Sequence, residues 1–185
     1  MDEDGDGIPD NSPSFTDAAL DACVRAALGG VEGTIDPALA AKLQNLDCID
    51  QGVVSLNGID FLVGLQTLSM WENSVTDISA LATLSELQWL ELGANDIADI
   101  SALSDLTDLT RLGLSGNQIS NVKDLDGLSQ LEWLHLDDNA LTEIDALADM
   151  TQLDWLTVEH NALDSDDVLK AIEDRDANAG PLKAI

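Results

Sequence analysis

The chain has 185 residues, of which 36 are acidic and 7 basic, giving a formal net charge of −29, and it contains no tyrosine. That balance excludes nucleic acid and anionic membrane as partners, because nothing in it can neutralise a row of phosphates. No apolar run approaches the roughly 18 to 20 residues of a membrane span, so one unit with an aliphatic core is expected.

Residues 2 to 10 read Asp-Glu-Asp-Gly-Asp-Gly-Ile-Pro-Asp. Alternating carboxylates separated by glycine supply the hard oxygen ligands and sharp turn that Ca²⁺ requires. Asp2, Asp4, Asp6 and Asp10 are therefore calcium-ligand candidates, and Ca²⁺ is the one candidate cofactor. The segment resembles the calcium-binding repeats of thrombospondin type 3, which implies that residues 1–13 are a linker remnant. It is not an EF-hand, since the twelfth position from Asp2 is Pro13. The opening Met1-Asp2-Glu3-Asp4 does not read as a secretory signal.

Residues 14–42 are expected to form a helical N-terminal cap. Leu20, Cys23, Val24, Ala27 and Leu28 fall at i, i+3, i+4, i+7 and i+8, which predicts an amphipathic helix over 15–28. Ser14 or Thr16 can cap its start, and Gly29-Gly30 stops it. A second helix is predicted from Asp36 as cap and Pro37 at the first position, running to about Leu43.

From Leu43 onward the chain repeats every 22 residues, with segments starting at Leu43, Leu65, Leu87, Leu109, Leu131 and Leu153. Column four is Leu46, Leu68, Leu90, Leu112, Leu134 and Leu156. Column six is Cys48, Met70, Leu92, Leu114, Leu136 and Val158, and column nine is Gln51, Asn73, Asn95, Asn117, Asn139 and Asn161. Such a period means stacked units, none able to bury its apolar face alone. The pattern LxxLxLxxN, with further aliphatic residues in columns 11, 14, 17 and 20, resembles the leucine-rich repeat. The short period and stretches such as Asn95-Asp96-Ile97-Ala98-Asp99-Ile100-Ser101-Ala102-Leu103 are similar to the bacterial internalin-type subclass.

The fold class implied is an α/β leucine-rich repeat solenoid, a right-handed superhelix with helical caps at both ends. Columns three to five predict short parallel strands on the concave face, where side chains alternate inward and outward. The Asn column is expected to turn the chain by bonding to backbone groups left unpaired there. The convex side is expected to hold 3₁₀ turns capped by the acidic column Asp77, Asp99 and Glu143, with Asn121 between. The repeats span 43–164. Residues 165–185 are read as a C-terminal cap, with a helix from Ser165 to about Arg175. Cys23 and Cys48 both point inward at the capped end, which predicts a disulfide and an oxidising compartment, the alternative being two buried thiols.

The outward columns carry the chemistry. Column three reads Asn45, Thr67, Trp89, Arg111, Trp133, Trp155, and column five reads Asp47, Ser69, Glu91, Gly113, His135, Thr157. Columns seven and eight continue onto the adjoining loop with Trp71, Asp137, Glu159 and His160. All four Trp and both His fall in these columns, while the interior is already filled by aliphatics. Trp71, Trp89, Arg111, Trp133 and Trp155, rimmed by Glu91, His135, Asp137 and Glu159, are thus the candidate ligand-binding residues. Gly93, Gly113 and Gly116 are expected to leave the middle of the face shallow. His135 and His160 lie too far apart along the strands to share a metal ion. No nucleophile arrangement, phosphate loop or dense metal cluster is visible, so no catalysis is expected.

The resemblance implies an extracellular or surface-displayed monomer that recognises a protein or peptide through its concave face. Two other readings stay open: a carbohydrate-binding surface built on exposed indoles, and a spacer within a larger calcium-dependent surface protein.

Overall fold

The computed structural model describes residues 12–164. The calcium-ligand candidates Asp2, Asp4, Asp6 and Asp10 and the predicted C-terminal helix lie outside the described residues. Six three-residue strands form one parallel sheet in chain order: β1 (Asn45–Asp47), β2 (Thr67–Ser69), β3 (Trp89–Glu91), β4 (Arg111–Gly113), β5 (Trp133–His135) and β6 (Trp155–Thr157). Each strand is three residues long because its neighbours in sequence are claimed by other tasks. Column six turns inward to the core, and the loop beyond it must reverse the chain.

The register follows the sequence period: Thr67 pairs with Trp89, Trp89 with Arg111, Arg111 with Trp133, and Trp133 with Trp155. The central leucine of every strand is buried, and so are the aliphatic residues of columns 11, 14, 17 and 20 from Val53 to Met150. They make one continuous core along the solenoid, the arrangement expected when no single repeat can close its own apolar face. Short 3₁₀ turns line the side opposite the sheet, at Ile59–Phe61, Ser79–Thr83, Ser101–Leu103, Lys123–Leu125 and Asp145–Asp149.

The column-nine asparagines hold the coils together. The Asn95 Nδ2 donates to the carbonyls of Leu92 and Gly93 in its own turn and to Met70 in the preceding coil, at 2.9–3.1 Å. Its Oδ1 accepts the N–H of Val75 at 2.9 Å. Asn73, Asn117, Asn139 and Asn161 repeat the pattern. Gln51 stands in the first row, where no repeat precedes it, and its amide bonds locally to the carbonyls of Ile49 and Asp50.

Column eight holds a feature the sequence did not reveal. Asp50, Glu72, Ala94, Asp138 and His160 have φ of 50–57°, and Gly116 has φ 69°. Every coil therefore passes through a left-handed residue just before column nine. L-residues adopt that conformation at a cost of about 1–2 kcal/mol. Only one of the six is glycine, which is why the column gave no signal.

At the N-terminal end, α1 runs Ala18–Ala27 and α2 runs Pro37–Ala40. The cap of α1 is Asp17, not Ser14 or Thr16. One carboxylate oxygen accepts the N–H groups of Ala19 and Leu20, and the other accepts those of Val54 and Ser55. A hydroxyl cannot serve four donors on two elements, and this double duty decides the cap. Leu20 and Val24 are buried, whereas Ala27 is exposed. α2 is shorter than its predicted reach to Leu43, since the chain must straighten to enter β1. Lys42 and Leu43 only bond back to Leu39 and Ala40 in a tightened turn. Cys23 and Cys48 form a disulfide, with Cα atoms 5.9 Å apart, tying α1 to the end of β1.

Candidate recognition surface

Strand register places one residue of column three beside the next, and the side chains form a ladder. The Arg111 Cζ lies 5.4 Å from the Trp89 ring centroid and 5.3 Å from that of Trp133, between the two indoles. Trp133 and Trp155 stack with centroids 5.0 Å apart and planes 3° from parallel. The three indoles remain 36–45% exposed, far above what a core aromatic shows. Period and strand spacing alone place these four side chains together.

Trp71 is not part of that ladder. It sits in column seven, half-buried, with its ring over Gly93 one coil further on. A Cβ built on Gly93 would lie 2.1 Å from that ring. The same device recurs in column five, where the Glu91 carboxylate lies over Gly113, 2.0 Å from where a Cβ would stand. The expectation of a shallow middle is thereby corrected. Those two glycines do not leave bare surface, since each makes room for the large side chain of the preceding coil. The sequence carried a signal for this, a large residue followed 22 positions later by glycine in the same column.

Beneath Arg111 a hollow of about 190 Å³ is lined by Trp89, Glu91, Arg111, Leu112, Gly113, Trp133 and His135. Burial pushes the Glu91 carboxyl up from its ordinary value, against the opposing pull of the Gly93 N–H and of His135. The Nε2 of His135 is buried and has no hydrogen-bond partner.

The rim residues divide. The Asp137 carboxylate accepts bonds from the hydroxyls of Ser115 and Thr157 and from the Glu159 N–H at 2.8 Å, so it stitches three coils together. Glu159 is exposed. His160 pairs with Asp138 of the neighbouring coil at 3.0 Å.

On the opposite side, Asp77 and Asp99 accept the N–H groups of Ser79 and Ser101 at 2.8 and 2.9 Å. The backbone bonds, with the serine hydroxyls, hold both carboxyls below their ordinary value. Asn121 accepts the Lys123 N–H at 3.3 Å. Glu143 departs from the column, pairing with Lys123 at 3.1 Å instead. Among the described residues no group of three or more His, Cys, Asp or Glu could hold a metal ion, and no helix is long and apolar enough to cross a membrane.

A continuous parallel sheet of three-residue strands, 3₁₀ turns behind it and an asparagine ladder between coils define a leucine-rich repeat solenoid. The family profile described as leucine rich repeat matches residues 63–119 and 125–163, and the chain belongs to that family. Within it the architecture is internalin-like. Internalin C2 of Listeria monocytogenes is 30% identical over 92% of this chain and 74% of that one, with a TM-score of 0.84. Internalin F of the same organism is 24% identical over 88% of this chain and 54% of that one, with a TM-score of 0.69. A plant peptide hormone receptor, RGFR1 in complex with RGF2, is 26% identical over 60% of this chain and 19% of its own, with a TM-score of 0.54. No curated protein matches the sequence.

Proposed function

We propose that this chain is a recognition module, displayed outside the cell, that binds a protein partner through the sheet face, the concave side of such a solenoid. One observation carries the reading: the row Trp89, Arg111, Trp133 and Trp155, half-exposed and locked in register. Aromatic residues around an arginine are the make-up of a binding hot spot, and their fixed stacking lowers the entropy lost on contact. Leucine-rich repeat proteins typically mediate protein–protein recognition, and the similarity to a receptor solved in complex with RGF2 supports the same use here. The Cys23–Cys48 disulfide supports an oxidising location. Neither the family nor the surface supports catalysis.

Stacking argues against the carbohydrate reading. A sugar ring needs an open indole face, yet both faces of Trp133 are covered, by Arg111 and Trp155. Trp133 therefore offers its edge, which suits a protein surface better than a pyranose.

The test is to capture partners from the native surroundings with the immobilised chain and measure their affinity for the Trp133→Ala variant. Binding is expected to weaken by about 2 kcal/mol, roughly thirtyfold, with the thermal midpoint nearly unchanged. A partner bound equally well by the variant, or a spacer role that survives it untouched, would overturn the reading.

A further inference from the structure

We infer that Arg111 is the anchor for a side-chain carboxylate of the bound protein segment, seated in the hollow between Trp89 and Trp133. This rests on the recognition reading above and names the group that the wall selects.

The first observation is an ion pair that is not made. The described residues contain four basic side chains, Arg25, Lys42, Arg111 and Lys123. Arg25 holds Asp21 at 2.7 Å and Lys123 holds Glu143 at 3.1 Å. Arg111 is the one cation of the sheet face among the described residues, and its side chain makes ring contacts there but neither an ion pair nor a hydrogen bond. In a chain with 36 acidic residues, the arginine at the centre of the wall is thus left unpaired by the protein's own carboxylates among the described residues. Glu91, on the neighbouring strand, does not fill it: its carboxyl lies over Gly113 and accepts the Gly93 N–H at 3.3 Å.

The second observation is where the guanidinium is held: Trp89 and Trp133 flank it, with ring centroids 5.4 and 5.3 Å away, so its donor edge is the part left to meet a partner. Guanidinium groups only donate, so the incoming group must accept. A carboxylate accepts through two oxygens, which matches the paired donors of the arginine fork. The indoles on either side of Arg111 hold its head in place beforehand, which removes an ordering cost from binding.

Size and charge choose the source. A hollow of about 190 Å³ between two indoles takes one side chain, the ring edges covering its methylenes. A phosphate would bring a second negative charge towards a chain of net charge −29. Asp47 and Glu159 stand exposed at the two ends of the face, so the segment that fits is a glutamate with basic residues on both sides.

Three N-acetylated probe peptides at constant ionic strength test this: acetyl-Lys-Glu-Lys-amide, its Gln counterpart, and acetyl-Lys-Gln-Lys with a free C-terminus. Inorganic phosphate is the fourth probe, and the readout is the indole N–H resonances of Trp89 and Trp133. The Glu peptide is expected to bind at least ~10-fold tighter than the Gln peptide, as a charge-assisted fork requires. Arg111→Gln is expected to erase that preference while keeping the folded spectrum, because it removes the charge and the fork together. Equal binding of the Glu and Gln peptides, tighter binding of the free C-terminus or of phosphate, or a preference that survives Arg111→Gln would each overturn it. Loss of a captured partner on Trp133→Ala alongside any of those results keeps the recognition reading and removes only the anchor. Capture that ignores Trp133 removes the recognition reading itself.

Discussion

Two ladders run along this solenoid, one inside and one on the sheet face, and they obey opposite rules. The inner ladder repeats one residue type, asparagine, through five successive coils, and each copy makes the same bonds to its own turn and to the coil before it. The outer ladder occupies the same register but changes identity at each step, from Thr67 to Trp89, Arg111 and Trp133. Backbone geometry is the same in every coil, so a residue that serves the backbone must be the same too. A residue that serves something other than the backbone is free to differ. The variable column is therefore where a partner's shape can be written.

The largest break in that comparison comes from the inside. Asn95 is 7% exposed, and Asn95→Ala would strand the buried N–H of Val75 and leave the carbonyls of Met70 and Leu92 with one asparagine donor each, Asn73 and Asn117, instead of two. A loss of about 3 kcal/mol is expected in chemical denaturation. Trp155→Ala, on the outside, is expected to lose no more than about 1 kcal/mol. Equal losses would mean that the two ladders do not divide stability from recognition.

Asp17 extends the inner rule to the cap. Asp17→Ala removes four N–H acceptor contacts and is expected to cost about 2 kcal/mol. Burial raises its carboxyl, but the bonds from Leu20, Val54, Ser55 and Ala19 outweigh that and hold it below the ordinary 3.8. The stability it supplies is complete above that value and lost as pH falls through the lower, folded one. The variant is expected to show a flatter acid limb when its stability is followed against pH.

Column eight sharpens the contrast more gently. Ala94 sits at φ 51°, so Ala94→Gly relieves a left-handed strain and is expected to gain about 0.5 kcal/mol, part of the relief being offset by the looser unfolded chain. The reverse change, Gly116→Ala, should lose a similar amount in the same melt. A gain from both would refute strain as the reason.

Glu91 lies in the outer set, and the smallest effect is expected there. Burial raises its carboxyl above the ordinary 4.5. Its contribution is thus complete below that value and lost as pH rises through the folded one. Glu91→Gln is expected to be slightly more stable than the parent at neutral pH, with the difference vanishing in acid. A parent that outlasts the variant at neutral pH would show that its attraction to His135 prevails over burial.

Much of this was legible in the residues. The period alone placed Arg111 between Trp89 and Trp133, since spacing along a strand and register between strands leave no choice. The asparagine turn followed from the same columns, and the Cys23–Cys48 pairing from column six set against the inner face of the capping helix. What escaped reading depends on distant partners. Ser14, Thr16 and Asp17 are locally equivalent caps, and the choice is made by the N–H groups of Val54 and Ser55, 37 and 38 residues on. The lean of Trp71 over Gly93 and of Glu91 over Gly113 depends on which way side chains tilt between coils. A column lists neighbours, and it does not say which of them bends toward the other.

The reach of each asparagine has a further consequence. Its bonds to the previous coil span 20 and 25 positions, and the pattern is identical at Asn73, Asn95, Asn117, Asn139 and Asn161. Duplicating or excising one whole coil would re-create every such link, whereas a single extra residue would break two. Evolution can thus lengthen or trim this protein in tiles, shuffling which side chain stands beside which on the outside without ever touching the mortar within.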